Sequence, residues 1–266
     1  MRIGFVGAGN MAEALMRGMI AGGIDNTNLM ALDVNRERNE AMRAFGFQIT
    51  DRMEQLIGWA ELIVLAVKPM AAQDVLLTLG TFERLPDVLS IVVSLTQQTL
   101  AETLPNASGI ARAMPNTPMR VGAGVTAFND NHSMNRECFN RMLTAFSHCG
   151  RTVIVPESLM SAVTAISGSG PAYVYLFIEA LADAGVKEGL ARDVAYELAA
   201  QTALGASKMV LEAGMHPAAL KDAVCSPGGT TIEAIYMLEK AGLRAAITDA
   251  VDACARKSEA MGKQKG

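Results

Sequence analysis

The sequence predicts an α/β N-terminal domain with a mostly parallel sheet, followed by an all-α C-terminal domain. Three observations carry that expectation. Short aliphatic runs alternate with amphipathic stretches through the first half of the chain, the pattern of βαβ units. A glycine-rich turn, Gly7-Ala8-Gly9, joins the first run to the first amphipathic stretch. After Arg151 to Pro156 the strand-like runs stop, and Ala, Leu, Met and Glu recur at helical spacing. The expected domains are 1–155 and 156–266.

The elements follow in order. Residues 2–6 form a first strand, and residues 10–21 a helix ended by Gly22-Gly23. Residues 28–32 read as a second strand stopping at Asp33, and the charged, amphipathic stretch 36–45 as a helix terminated by Gly46. Residues 62–67 are continuously aliphatic, as a strand buried on both faces requires, and Pro69 marks the turn beyond them. Residues 88–93 repeat that pattern and 109–113 repeat it more weakly. From 157 to 262 no strand is expected; 173–184 and 194–211 show helical spacing, and four to six helices punctuated by glycines fill this half. The Ala-rich stretch 198–206 suits close helix packing, including packing between subunits.

Composition narrows the function. Half the residues are hydrophobic and 19% are charged, which excludes a disordered chain. No apolar run approaches the roughly 20 residues of a membrane-spanning helix. Glu13 and Arg17 interrupt the N-terminal apolar stretch, so no signal peptide is expected. The net charge is −4, and the basic tail (Lys257, Lys263, Lys265) is sparse, so neither nucleic acid nor membrane is an expected partner. Cys138, Cys149, Cys225 and Cys254 form no C-x-x-C pair, and His132, His148 and His216 are not spaced as ligands. Buried thiols in a reducing, cytoplasmic compartment are expected, with no metal site. The 17 methionines read as helical core filler.

Gly7-Ala8-Gly9-Asn10-Met11-Ala12 fits G-x-G-x-x-G/A in the required context, after a strand and at the opening of a helix. The first glycine permits the tight turn, the second lets the backbone approach a pyrophosphate, and Ala12 lets helix and strand pack closely. The phosphates then meet free N–H groups at a helix N-terminus. Asp33, at the end of the second strand, suits the ribose hydroxyls of NADH; Asn35 and Arg36 sit just beyond it, where Arg36 suits either the 2′-phosphate of NADPH or a solvated helix start, so the cofactor preference stays open. Val67-Lys68-Pro69, at the end of a parallel strand, belongs to the same side.

Two helix starts in the second half suit a ligand. One is Ser167-Gly168-Ser169-Gly170-Pro171, where glycines precede a first-turn proline. The other is Ser226-Pro227-Gly228-Gly229-Thr230-Thr231-Ile232-Glu233, where Thr230 and Glu233 have capping-box spacing and the N–H groups of residues 229–231 suit a carboxylate. Two well-capped core helices would give the same spacing. A dehydrogenase of hydroxyl groups needs a His or Lys for the hydroxyl proton. In 3-hydroxyacid dehydrogenases a Lys stands where this chain has Val174, and no histidine here has a clear catalytic place. A protonated imine, which carries its own charge, needs no such base.

Over nearly its whole length the chain resembles pyrroline-5-carboxylate reductases. The resemblance lies in residues 4–12, Ala66-Val67-Lys68-Pro69, Arg112-Ala113-Met114-Pro115-Asn116-Thr117-Pro118, residues 162–173, His216-Pro217, Leu220-Lys221-Asp222 and, most specifically, Ser226-Pro227-Gly228-Gly229-Thr230-Thr231-Ile232. It implies a Rossmann-type N-terminal domain and a helical dimerisation domain, in a homodimer that often assembles further, commonly to a decamer. It implies hydride transfer from NADPH or NADH to the imine carbon of L-1-pyrroline-5-carboxylate, giving L-proline in the last step of proline biosynthesis. Carried over by motif, Thr231 is the catalytic residue, its hydroxyl against the ring nitrogen. Gly228, Gly229, Thr230 and Thr231 hold the substrate carboxylate, Ser169 and Gly170 border substrate and nicotinamide, and Met114 to Thr117, with Asn116, line the cleft. Gly7, Ala8, Gly9, Asn10, Met11, Asp33, Asn35, Arg36, Val67, Lys68, Pro69, Met114 and Asn116 serve the cofactor. Met53 departs from relatives that carry an Asn nearby against the adenosine ribose.

Overall fold

The structure, a computed structural model, describes residues 1–263; Lys265 of the basic tail lies outside the described residues. The chain divides into two compact units, one formed by Met1–Ser169 with the chain from Cys254, the other by Gly170–Ala253.

The first unit runs β1 (Ile3–Val6), α1 (Asn10–Ala21), β2 (Leu29–Leu32), α2 (Arg36–Ala44), β3 (Gln48–Thr50), α3 (Met53–Trp59), β4 (Leu62–Leu65), α4 (Ala72–Gly80), β5 (Asp87–Ser90), α5 (Gln97–Thr103), β6 (Ile110–Met114), β7 (Gly124–Asn129), α6 (Arg136–Ser147), β8 (Gly150–Val155) and α7 (Met160–Val163). The strands form one sheet in the order β3-β2-β1-β4-β5-β6-β7-β8. Every neighbouring pair is parallel except β6 with β7. The sheet is therefore mostly parallel, as expected.

Successive side chains point to opposite faces and both faces are covered, so β4 is aliphatic throughout and its neighbours β1 and β5 are buried at every position. Ile3, Phe5, Leu62 and Val64 face a core with Leu15 and Met19 of α1 and Phe139 and Phe146 of α6. Val6, Ile63, Leu65 and Val88 face the opposite core, against Leu56 of α3, Leu76 of α4 and Leu100 of α5. Helices thus cover both faces. Three strands went unpredicted. β3 has only three residues, β7 carries the buried polar Thr126 and Asn129, and β8 is an edge strand with exposed Val153 and Ile154. None makes a continuous apolar run.

The second unit holds α8 (Gly170–Lys187), α9 (Arg192–Glu212), α10 (Pro217–Ala223), α11 (Thr230–Lys240) and the first part of α12 (Leu243–Lys263). No strand occurs after residue 155 among the described residues. The fully buried interior of this unit is Ala182, Ala195 and Ala199, with Ile178 and Val186 packed beside them. Large apolar side chains stay uncovered: Leu176 is 66% exposed, Leu204 57% and Tyr236 61%. An apolar surface of that kind marks an interaction face.

Candidate functional site

Strand order reverses between β1 and β4, and ligands of open α/β sheets bind outside the carboxyl ends of the strands at such a point. Because β1, β2, β4, β5 and β6 run parallel, the turns that follow them share one edge of the sheet. The structure therefore gathers Gly7 to Met11, Asp33 to Arg36, Val67 to Pro69, and Met114 with Asn116 along that edge.

The two turn glycines have different duties. Gly7 has φ +98°, and a Cβ there would lie 2.7 Å from the Ala66 carbonyl oxygen, so the turn itself demands glycine. Gly9 has φ −66° and ψ −177°, which any residue adopts, and a Cβ there would meet nothing within 4 Å. No contact inside the protein explains Gly9. It caps α1 without a side-chain hydrogen bond, leaving first-turn N–H groups behind an open cradle that fits a pyrophosphate. Asn10 and Met11 open α1, and Ala12 is fully buried, as close helix–sheet packing needs.

Beneath the turn lies a network that motif reading missed. Arg38 of α2 donates through Nε to the Ala8 carbonyl and through Nη2 to Glu13 Oε2 at 2.5 Å. Arg17 Nε donates to Glu13 Oε1 at 2.7 Å. Burial pushes the Glu13 carboxyl up, but the hydrogen bonds and charges of Arg38 and Arg17 outweigh it and hold the group below its ordinary value. The i,i+4 spacing of Glu13 and Arg17 is visible in sequence; the approach of Arg38 depends on the β1–β2 pairing and is not.

Asp33 accepts the Ala8 N–H on Oδ2 at 2.7 Å and the Asn35 N–H on Oδ1 at 2.9 Å. Asn35 caps α2, its Oδ1 accepting the Arg38 N–H, and Arg36 is exposed at the first position of that helix. Val67 is half-buried; Lys68 is exposed, its carbonyl accepting the Ala71 N–H at 3.0 Å. Pro69 opens a short 3-10 turn. Met53 begins α3.

At the end of β6, Met114 is buried and Asn116 joins two segments. Asn116 donates to the Ser167 carbonyl at 3.1 Å and accepts the Val125 N–H at 2.9 Å. Ser94, in the loop after β5, is buried, and its hydroxyl has no hydrogen-bond partner among the described residues. No motif had singled it out. Glu157, at the entry to α7, gathers the first unit's loops. Its Oε1 accepts Arg112 Nη1 at 2.6 Å and the Gln97 N–H at 2.6 Å, and its Oε2 accepts Asn131 Nδ2 at 2.9 Å. Burial raises the Glu157 carboxyl, but those three donors together hold it below its usual range.

Two local expectations need correction. Residues 167–170 are not a bare loop before a helix. α7 runs into a π-helical turn, Thr164–Gly168, and α8 begins at Gly170; the Ser169 N–H donates to the Thr164 carbonyl at 2.8 Å. Such wide turns interrupt helices mostly at functional positions. Ser169 Oγ accepts from Cys254 Sγ at 3.2 Å. Nor do Thr230 and Glu233 form a capping box: Gly229 is the N-cap of α11, Thr230 is already helical, and no side chain caps the helix. The cause is Gly228, whose φ of +67° turns the chain so that the helix starts one residue early. The Gly229 N–H is committed to the Ser226 carbonyl at 3.0 Å, so the donors left without a cap are those of the helix's own first turn, Thr230 and Thr231. Thr231 is half-buried on its first turn.

Two of the three histidines make structural contacts. His132 stacks on Phe139 with ring centroids 3.7 Å apart, and His216 Nδ1 accepts the Ala218 N–H at 3.2 Å as the cap of α10. Among the described residues no cluster of His, Cys, Asp and Glu is arranged to hold a metal ion, and no helix is long and apolar enough to cross a membrane.

Comparison with known proteins agrees with this arrangement. Residues 157–261 match the family model described as pyrroline-5-carboxylate reductase dimerisation, and residues 2–98 match NADP oxidoreductase coenzyme F420-dependent. The chain is 40% identical over 265 residues to a pyrroline-5-carboxylate reductase of Escherichia coli (strain K12), covering 98% of each. It is 41% identical over 268 residues to one from Methanosarcina acetivorans, covering 99% of this chain and 98% of the relative. A crystal structure of Plasmodium falciparum pyrroline carboxylate reductase with NADP bound superposes with a TM-score of 0.88 at 35% identity, covering 99% of this chain and 98% of that one. With that coverage by relatives and with the dinucleotide turn in place, the chain belongs to the pyrroline-5-carboxylate reductase family.

Proposed function

We propose that this protein reduces L-1-pyrroline-5-carboxylate to L-proline with NADPH or NADH, the closing step of proline biosynthesis. The observation that carries the proposal is the uncapped start of α11, where Gly228 has open space beside it, no side chain caps the first-turn N–H groups, and Thr231 stands on the first turn. Its N–H groups suit a small carboxylate. The Thr231 hydroxyl is a donor and acceptor in one, suited to a ring nitrogen that changes from planar to pyramidal. The absence of a histidine or lysine at Val174 favours a charged C=N acceptor over a hydroxyacid.

Bound nicotinamide supplies the hydride. In this reading Gly7 to Met11 hold its pyrophosphate, Asp33, Asn35 and Arg36 its adenosine ribose, and Val67, Lys68 and Pro69 flank it. Met114 contributes a buried wall. Asn116, its amide committed at both ends, acts by fixing the segment that carries Ser167 to the end of β6. Ser169 and Gly170 border the substrate, and residues 228–231 bind it. The protein works mainly by positioning, which alone supplies a large share of the rate enhancement available to such a step.

The domains proposed to do this are 1–155 for the dinucleotide and 156–266 for substrate and dimerisation. The uncovered apolar side chains of α8 and α9 support a homodimer through the helical domain; assembly to a decamer and a cytoplasmic location complete the proposal. The test is oxidation of NADH and NADPH by purified protein with pyrroline-5-carboxylate, beside a panel of 3-hydroxyacids with the oxidised cofactors. Turnover confined to the imine is expected. Turnover confined to a hydroxyacid would replace the proposal.

A further inference from the structure

NADH and NADPH deliver the same hydride, so the reaction leaves the choice between them to the residues after β2. We infer that Asp33 makes this chain prefer NADH, its carboxylate serving as the group that turns NADPH away; the inference rests on the cofactor reading above.

Three features on the page argue for it. First, the carboxylate is fixed. Oδ2 accepts the Ala8 N–H at 2.7 Å and Oδ1 accepts the Asn35 N–H at 2.9 Å. Each oxygen keeps acceptor capacity, so the group receives ribose hydroxyls without rearranging. A 2′-phosphate has no such proton to offer and brings negative charge against a held negative charge. For Asp33 to swing clear, it must break both charge-assisted bonds and release the turn that cradles the pyrophosphate.

Second, the cation held beneath the turn is already committed. The Arg38 guanidinium donates to the Ala8 carbonyl and to Glu13, so it neither neutralises Asp33 nor reaches for a phosphate without dismantling the network below the turn. Third, the surface beyond Asp33 offers a phosphate little. Val34 is 96% exposed and apolar, and the Asn35 side chain caps α2. Arg36 is the competing group. It is exposed and makes no hydrogen bond or ion pair among the described residues. An unrestrained exposed guanidinium must lose side-chain freedom to bind, whereas Asp33 is already in place.

The experiment is a pair of binding titrations, followed by nicotinamide fluorescence, for NADH and NADPH with the wild type, Asp33→Ser and Arg36→Ala. The same preparations give kcat/KM with each cofactor. The wild type is expected to bind NADH at least about tenfold more tightly, and Asp33→Ser to erase or invert that ratio by weakening NADH and strengthening NADPH. Arg36→Ala is expected to keep the preference for NADH, and a preference that vanishes with Arg36 but survives the loss of Asp33 overturns the inference. A wild type that favours NADPH or binds both equally overturns the inference, as does an unchanged ratio in Asp33→Ser. Should Asp33→Ser fail to fold, displacement of NADH from the wild type by adenosine 2′,5′-bisphosphate and by 5′-AMP decides: stronger displacement by 5′-AMP supports the inference and the reverse order overturns it. Selective NADH binding without turnover of the imine upholds the inference while the proposed reaction falls; absence of any dinucleotide binding removes both.

Discussion

Glu157 holds the Arg112 guanidinium at 2.6 Å while also accepting the backbone N–H that opens α5. One carboxylate thus ties β6, the start of α5, Asn131 beyond β7 and the entry to α7. Glu157→Gln keeps the shape and loses the charge. We expect it to cost about 2–3 kcal/mol, below the usual penalty for breaking a fully buried pair because the site is partly wetted. The pH dependence has a definite sign. The folded carboxyl titrates below its ordinary value, so its contribution is complete above the unfolded value, near 4.5, and is lost as pH falls through the folded one. Thermal melts from pH 7 to pH 3 should show the wild-type advantage over Glu157→Gln narrowing only in the acid part of that range. A gap that stayed constant to pH 3 would remove the carboxylate's charge from the account.

The two glycines of the nucleotide turn should fail differently. Gly7→Ala forces a side chain into positive φ and against the Ala66 carbonyl, costing about 1–3 kcal/mol of stability. Gly9→Val should melt within about 1 kcal/mol of wild type yet lose dinucleotide binding, because its side chain fills an otherwise open cradle. Calorimetry and a binding titration on the two variants check both halves. Unimpaired dinucleotide binding by Gly9→Val would discard the pyrophosphate assignment.

Thr231→Ala should lower kcat by roughly ten- to 150-fold, the loss of one oriented hydrogen bond worth about 1.5–3 kcal/mol. Thr231→Ser, which restores the hydroxyl, should recover most of it. Steady-state kinetics with the imine read the difference, and equal rates in wild type and Thr231→Ala would take the hydroxyl out of the mechanism.

Leu176 and Leu204 are more than half exposed on helices whose shared interior is three alanines. Changing either to Glu should shift the protein toward monomer. Sedimentation velocity at micromolar concentration tests this, and an unchanged assembly with both residues substituted would place the subunit contact elsewhere.

The thiol of Cys149 is pushed up to about 12 by burial. It should therefore resist alkylation at pH 8 in the native protein and react at once in denaturant, as mass spectrometry of labelled peptides would reveal. Labelling of native Cys149 at the rate seen in denaturant would show that the site is open to solvent.

Much of the fold was legible because local and global signals agreed. The run at 62–67 is aliphatic at every position since both faces of the sheet are covered, and the Gly7–Ala12 spacing states its own turn geometry. The edge strand Gln48–Thr50 was not legible because three residues, two half-buried and one buried, leave no period to read. β7 was hidden because Asn129 and Thr126 are polar and buried; Asn129 is satisfied by bonds that only the folded sheet creates, its Oδ1 accepting the Arg112 N–H and its Nδ2 donating to Gln97. The capping box misled because Thr230 and Glu233 have the right spacing, while Gly228 decides where the helix starts. Arg38 and Glu157 act across 25 and 45 residues of sequence, and nothing local announces such a meeting.

Three alanines make a poor nucleus. In the proposed homodimer a helical unit with so little to collapse upon gains most of its cohesion from the second copy over its leucines, and the last stage of its folding is then a bimolecular event. Dilution then acts as a denaturant: melting temperature should climb with protein concentration. A variant weakened only on that surface would look sound in a concentrated tube and fall apart at the low abundance of a biosynthetic enzyme.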